Sequence, residues 1–171
     1  MKWAVAVIVV LLTALTAVGT SGALTVPVLS PIDPQSCKVG GLVPSLVDNP
    51  LQPGEFSWHG VPLPPSRRGA ASIESVHVEG SVTSGDLSLL VLEAPAFGAY
   101  RGTLEQRWAS RAVPVDVARL NSGGKYQLLV GFSAESPGRY DLAAFRMVFR
   151  QGLWRSRCTK AWGAEFVVAT R

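Results

Sequence analysis

From Ile73 onward the chain alternates apolar and polar residues with a period of two, the spacing of strands buried on one face. Val76, Val78 and Val82 share a face of residues 73–82, with His77 and Glu79 opposite. Thr83-Ser84-Gly85-Asp86 has turn chemistry. Leu87, Leu89 and Val91 then take one face, while Leu90 and Leu92 make the other apolar too, which predicts a strand covered on both sides. Residues 93–102 contain Pro95, Gly98 and Gly102 and read as a loop, and residues 103–110 fit either a helical turn or a strand. Val113, Val115 and Val117 alternate around Pro114; proline cannot donate to a ladder, so this strand belongs at a sheet edge.

Asn121-Ser122-Gly123-Gly124 is the clearest turn, and Tyr126, Leu128, Val130 and Phe132 follow on one face. After Glu135-Ser136-Pro137-Gly138, Tyr140 and Leu142 run one residue out of phase with Phe145, Met147 and Phe149, which predicts a bulge near Ala143-Ala144. Gln151-Gly152 turns the chain into residues 153–160, where Trp154, Ser156 and Cys158 face inward and Arg155 and Arg157 outward. A turn at Trp162-Gly163 leads to a last strand over residues 164–171. The expected fold is all-β: a single antiparallel Ig-like β-sandwich of about seven strands.

Upstream the pattern breaks. Nine of the 12 prolines lie between Pro27 and Pro65. Residues 24–36 read as a Pro-rich extended linker. Residues 42–68 hold six prolines, which argue against a central strand or a long helix; their scattered apolar residues predict an irregular segment packed over the sheet with Trp58 as anchor.

The first residues have a different character. Lys2 precedes Trp3–Val18, 16 residues without a charge, and small residues follow to Ala23. A basic start, an apolar helical run and a small-residue exit make an export signal, with Ser21 and Ala23 at the positions a cleavage site requires. The rival is an uncleaved anchor, because no charge separates Lys2 from Asp33; a spanning helix needs about 20 apolar residues. Either reading puts the remainder outside the cytoplasm, secreted or held at the membrane. The expected organisation is residues 1–23 as signal peptide or anchor, 24–36 as linker and 37–171 as the sandwich domain.

Two cysteines, Cys37 and Cys158, suit a disulfide in an oxidising compartment. Charged residues are only 16% of the chain and net charge is +4, which allows an anionic partner without requiring one. The excess is arginine, and it gathers late. Residues 139–171 carry seven basic side chains against Asp141 and Glu165. Arg146 and Arg150 precede the Gln151-Gly152 turn, and Arg155 and Arg157 follow it. On a hairpin these four would form a stripe able to bind phosphate or carboxylate, or to keep a sheet edge solvated. Trp162, beside Gly163, is the candidate sugar-stacking residue.

Catalytic chemistry is sparse. His59 and His77 are the two histidines, no metal-ligand spacing exists, and no nucleophile elbow or phosphate loop occurs; no cofactor is expected. The order of an apolar start, His77, Cys158 and Arg171 resembles that of sortases. That resemblance implies a thiol transpeptidase, but Cys158 stands in Arg-Ser-Arg-Cys-Thr where the family has TLxTC. The sequence thus points to a non-catalytic cell-envelope protein with an interaction or structural role. Its expected partner is an anionic polymer, lipid head groups or another envelope protein, not nucleic acid. The alternatives are a carbohydrate-binding module and, more distantly, the sortase-like enzyme.

Overall fold

A computed structural model describes residues 30–32, 37, 49–94 and 96–170. The apolar run, nearly all of the Pro-rich linker and Arg171 lie outside the described residues. Two antiparallel sheets pack face to face. The first has the order β4-β1-β7-β3-β5, with β1 Ser57–Pro62, β3 Asp86–Glu93, β4 Ala99–Arg101, β5 Ala112–Pro114 and β7 Tyr126–Ser133. The second has the order β6-β2-β8-β9, with β2 Ala71–Glu79, β6 Arg119–Leu120, β8 Gly138–Gln151 and β9 Trp154–Val168.

The main core fills the space between the sheets. Val61, Val91, Leu128, Val130 and Phe132 enter from the first sheet, and Ile73, Val78, Leu142, Phe145, Phe149 and Phe166 from the second. Phe132 centres an aromatic group, 5.1 Å from Tyr140 and 4.9 Å from Phe166. A second apolar cluster covers the outer side of the first sheet, where Trp58, Leu92 and Leu129 meet Leu104, Phe97 and Trp108 of the β3–β5 connection. That cover explains why β3 and β7 read as apolar on both faces. Gly131 makes room for it: a Cβ there would fall 2.7 Å from the Trp58 ring.

Several expectations need correction. Residues 57–62 form β1, an internal strand between β4 and β7, despite the surrounding prolines. Pro53 precedes the strand and Pro62 ends it, so neither interrupts the ladder. Val82 sits in a 3-10 turn, Ser81–Ser84, because Gly80 turns the chain at φ 127°. Part of the expected loop at 93–102 is β4, an edge strand of three residues. Of the two readings open for residues 103–110 the helical turn is the one found, over Gln106–Ala109. Trp162-Gly163 is not a turn. It is a bulge in which two residues of β9 oppose Ala143 of β8, with Gly163 at φ 67°, so β9 is one strand of 15 residues.

Cys37 and Cys158 are joined, with Cα atoms 5.4 Å apart. The chain before the first sheet is held at the same place. Ser30 Oγ lies 2.5 Å from Ser156 Oγ, Ile32 bridges Ser66, and Arg67 donates its amide to Pro31. At the other end of the sandwich Leu51 runs parallel to Val168.

Two basic side chains are buried among the described residues. His59 is 3% exposed, 2.8 Å from Ser57 Oγ and edge-on to Phe166. Burial lowers its pKa from 6.5 to about 4. Lys160 is 4% exposed and donates from Nζ to the Pro62 carbonyl at 2.5 Å; burial lowers its pKa as well.

Two outcomes are expected. The disulfide closes a separation of 121 residues. In the chain-entropy treatment a loop that long contributes about 4–5 kcal/mol, so denaturant unfolding of Cys37→Ala/Cys158→Ala should show a loss of that order. Neutral His59 makes folding oppose protonation. An unfolded histidine binds its proton near pH 6.5 while the folded one waits until about 4, so stability should fall with pH across that window. The total is about 3 kcal/mol. Unfolding midpoints between pH 7 and pH 4 should show this slope in the native chain, and His59→Gln should flatten it.

Candidate anion-binding face

The register of β8 against β9 and β2 decides where the arginines go. Phe145, Met147 and Phe149 point inward, so Arg146, Val148 and Arg150 point outward. Arg150 is the direct partner of Arg155, Val148 of Arg157 and Arg146 of Thr159. On the other side Ser72 pairs with both Arg150 and Arg119, which carries the stripe onto β6. All four arginines singled out in the sequence therefore share the outer face of the second sheet.

They are not equivalent. Arg146 is ion-paired with Glu79, and Arg155 with Glu74 at 2.5 Å. Glu74 occupies a bulge of β2 between Ile73 and Ser75. Arg150 donates from Nε to Gly152 O at 3.0 Å, and neither it nor Arg157 meets a carboxylate among the described residues. The carboxylates concentrate at the opposite end of the face, where Arg139 pairs with Glu165 at 2.9 Å and Asp141 accepts from the Ser81 hydroxyl and amide. Those Ser81 bonds hold the Asp141 carboxyl below the usual range. The face thus runs from carboxylate-rich at one end to positive at the hairpin end. There Arg150 and Arg155 stand directly opposite, a like-charge pairing that costs stability in a sheet. A bound anion would relieve that repulsion and accept planar, bidentate hydrogen bonds from the guanidinium groups.

Trp162 is in a different setting. Its indole is half-buried, with its ring 5.0 Å from Phe145 and 6.2 Å from His59. Because residues 162–163 bulge within a strand, the side chain reaches into the core boundary and not out from a turn. His77 and Cys158, the described members of the sortase-like trio, are not brought together either. Cys158 faces the core and is bonded to Cys37, whereas His77 lies exposed on the outer face beside Arg146. No group of three His, Cys, Asp or Glu side chains that would hold a metal occurs among the described residues.

One surface escaped the sequence reading. An apolar groove of about 630 Å³ opens on the outer side of the first sheet, lined by Phe56, Trp58, Leu90, Leu104 and Ala109. Phe56 stacks on Trp58 at 5.6 Å. Glu55, held below the usual carboxylate range by the Gln52 amide and then by Arg101, sits at the rim. The signal was present in the paired apolar faces of Leu90 and Leu92, but locating the groove required knowing that the β3–β5 connection folds back over them.

No family model matches the chain, and no curated protein matches it. Among solved structures it is similar to the ASH/PapD-like domain of human CEP192 (PapD-like domain 7), at 14% identity and a TM-score of 0.38, over 78% of this chain and 84% of that one. A likeness of that degree names neither a ligand nor an activity.

Proposed function

We propose that this protein is an extracytoplasmic, non-catalytic interaction domain of the Ig-like type that binds an anionic envelope component through the outer face of β2, β8 and β9. The observation that carries the reading is the cluster of Arg150, Arg155 and Arg157 on one face, opposed there by Glu74. Glu74 offsets one of these three charges, and an anionic ligand would offset the other two.

The Ig-like assignment is supported by connectivity. The three long strands β1-β7-β3 face β2-β8-β9, the same order as B-E-D against C-F-G in Ig-like sandwiches. Tyr140, near the start of β8, donates its hydroxyl to Ser136 O at 2.8 Å, the arrangement of the tyrosine corner found at the E–F junction of such domains. Export is supported by the Lys2–Ala23 pattern and by a disulfide suited to an oxidising compartment.

Binding of soluble polyphosphate by the full chain tests the reading. Calorimetry should show salt-sensitive association. Arg150→Gln and Arg157→Gln should each weaken it by up to about fivefold, the size of an exposed ion pair. Arg139→Gln, at the carboxylate-rich end, should leave it unchanged. Absence of binding, or equal loss in all three variants, would overturn the assignment.

A further inference from the structure

The hairpin end carries more than charge. Leu153, in the two-residue turn between β8 and β9, is 68% exposed, the most exposed large apolar side chain among the described residues. Trp154 follows it, half-buried. Arg150 and Arg155 flank the turn, and Arg157 lies two residues further along β9. The β1–β2 loop adds Arg68, also exposed, and Gly69 of that loop sits against the Gln151 side chain, 3.3 Å from where its Cβ would be. An exposed leucine at the centre of an arginine cluster is of no use to a soluble polyanion. A lipid surface engages both parts: the apolar side chain enters beneath the head groups, the indole lies at the interface, and the guanidinium groups meet phosphates.

The position of the chain outside the structure agrees. Ser30, the first described residue, is hydrogen-bonded to Ser156, only three residues from Leu153 and so about 10 Å along the strand. The apolar run ends at Val18, twelve residues earlier, a span of at most about 40 Å. Any membrane attachment through the N-terminal run therefore delivers the chain to the same end of the sandwich as Leu153.

We infer that the β8–β9 turn is a membrane-docking tip, with Leu153 inserted and Arg150, Arg155 and Arg157 on the phosphates of anionic lipid. This rests on the anionic-ligand reading above and names the ligand's source.

The test is quenching of Trp154 by brominated lipid in vesicles reconstituted with the full chain. The Trp154→Phe chain supplies the background from the other tryptophans. Brominated phosphatidylglycerol should quench Trp154, and brominated phosphatidylcholine in neutral vesicles should not. Leu153→Asp, an exposed position that should not disturb folding, should abolish the effect. Arg150→Gln/Arg157→Gln should weaken tip docking by about 25-fold, since each basic residue near an anionic surface contributes about fivefold. Quenching that is absent, or equal in the native and Leu153→Asp chains, overturns the docking tip. If polyphosphate still binds through the arginines in that case, the anionic-ligand reading stands with a soluble polymer as ligand; if it does not, both fail.

Discussion

The pairing of β8 with β9 is the constraint on which the rest of this protein depends. Side chains alternate across a strand, so a slip of one residue would send Arg155 and Arg157 into the core and Ser156 and Cys158 to solvent. Three devices hold the pairing. A two-residue turn closes the hairpin at Gly152-Leu153, the Ala143 bulge resets the phase midway, and Cys158 is tied to Cys37. The bulge has a specific role. Without it Tyr140 and Leu142 could not share the core with Phe145 and Phe149, because their spacing in sequence is odd. Gly163 supplies the left-handed backbone that the bulge needs.

The two sheets are used differently. The first packs one side on the main core and is partly covered on the other by the connection that brings in Leu104 and Trp108, with the apolar groove left open there. The second presents its outer face to solvent, and there the charges sort along its length, paired near Asp141 and Glu165 and unbalanced near the turn. The functional proposals follow from that separation, since a face free of packing duties is the one able to carry a ligand.

Much of this was readable from residue order. The alternation in β7, the phase change at Ala143, the edge position of Pro114 and the inward Cys158 all follow from period-two patterning and the chemistry of proline. The failures share a cause: they depend on what lies across from a residue. Trp162-Gly163 looks like a turn because a glycine in a bulge and a glycine in a turn use the same backbone conformation. Residues 57–62 look too rich in nearby prolines for an internal strand, yet the prolines fall at the strand's end and outside it. Lys160 reads as part of the basic surface, but a Pro62 carbonyl meets it inside the sandwich. The arginine stripe was legible, while the division between Arg146 and Arg155, which have carboxylate partners, and Arg150 and Arg157 was not. Glu79 and Glu74 come from β2, 67 and 81 residues earlier in the chain, and a bulge aims the second of them.

The placement of β9 has a consequence for how the molecule is made. This strand completes the second sheet, supplies Phe166 to the core, pairs with Leu51 and carries the sulfur that reaches back to Cys37. A nascent chain therefore carries an unpaired thiol and an unfinished interior until β9 has emerged. Contacts between distant parts of a sequence form slowly. Closure of the sandwich thus waits on β9, whatever has folded before it.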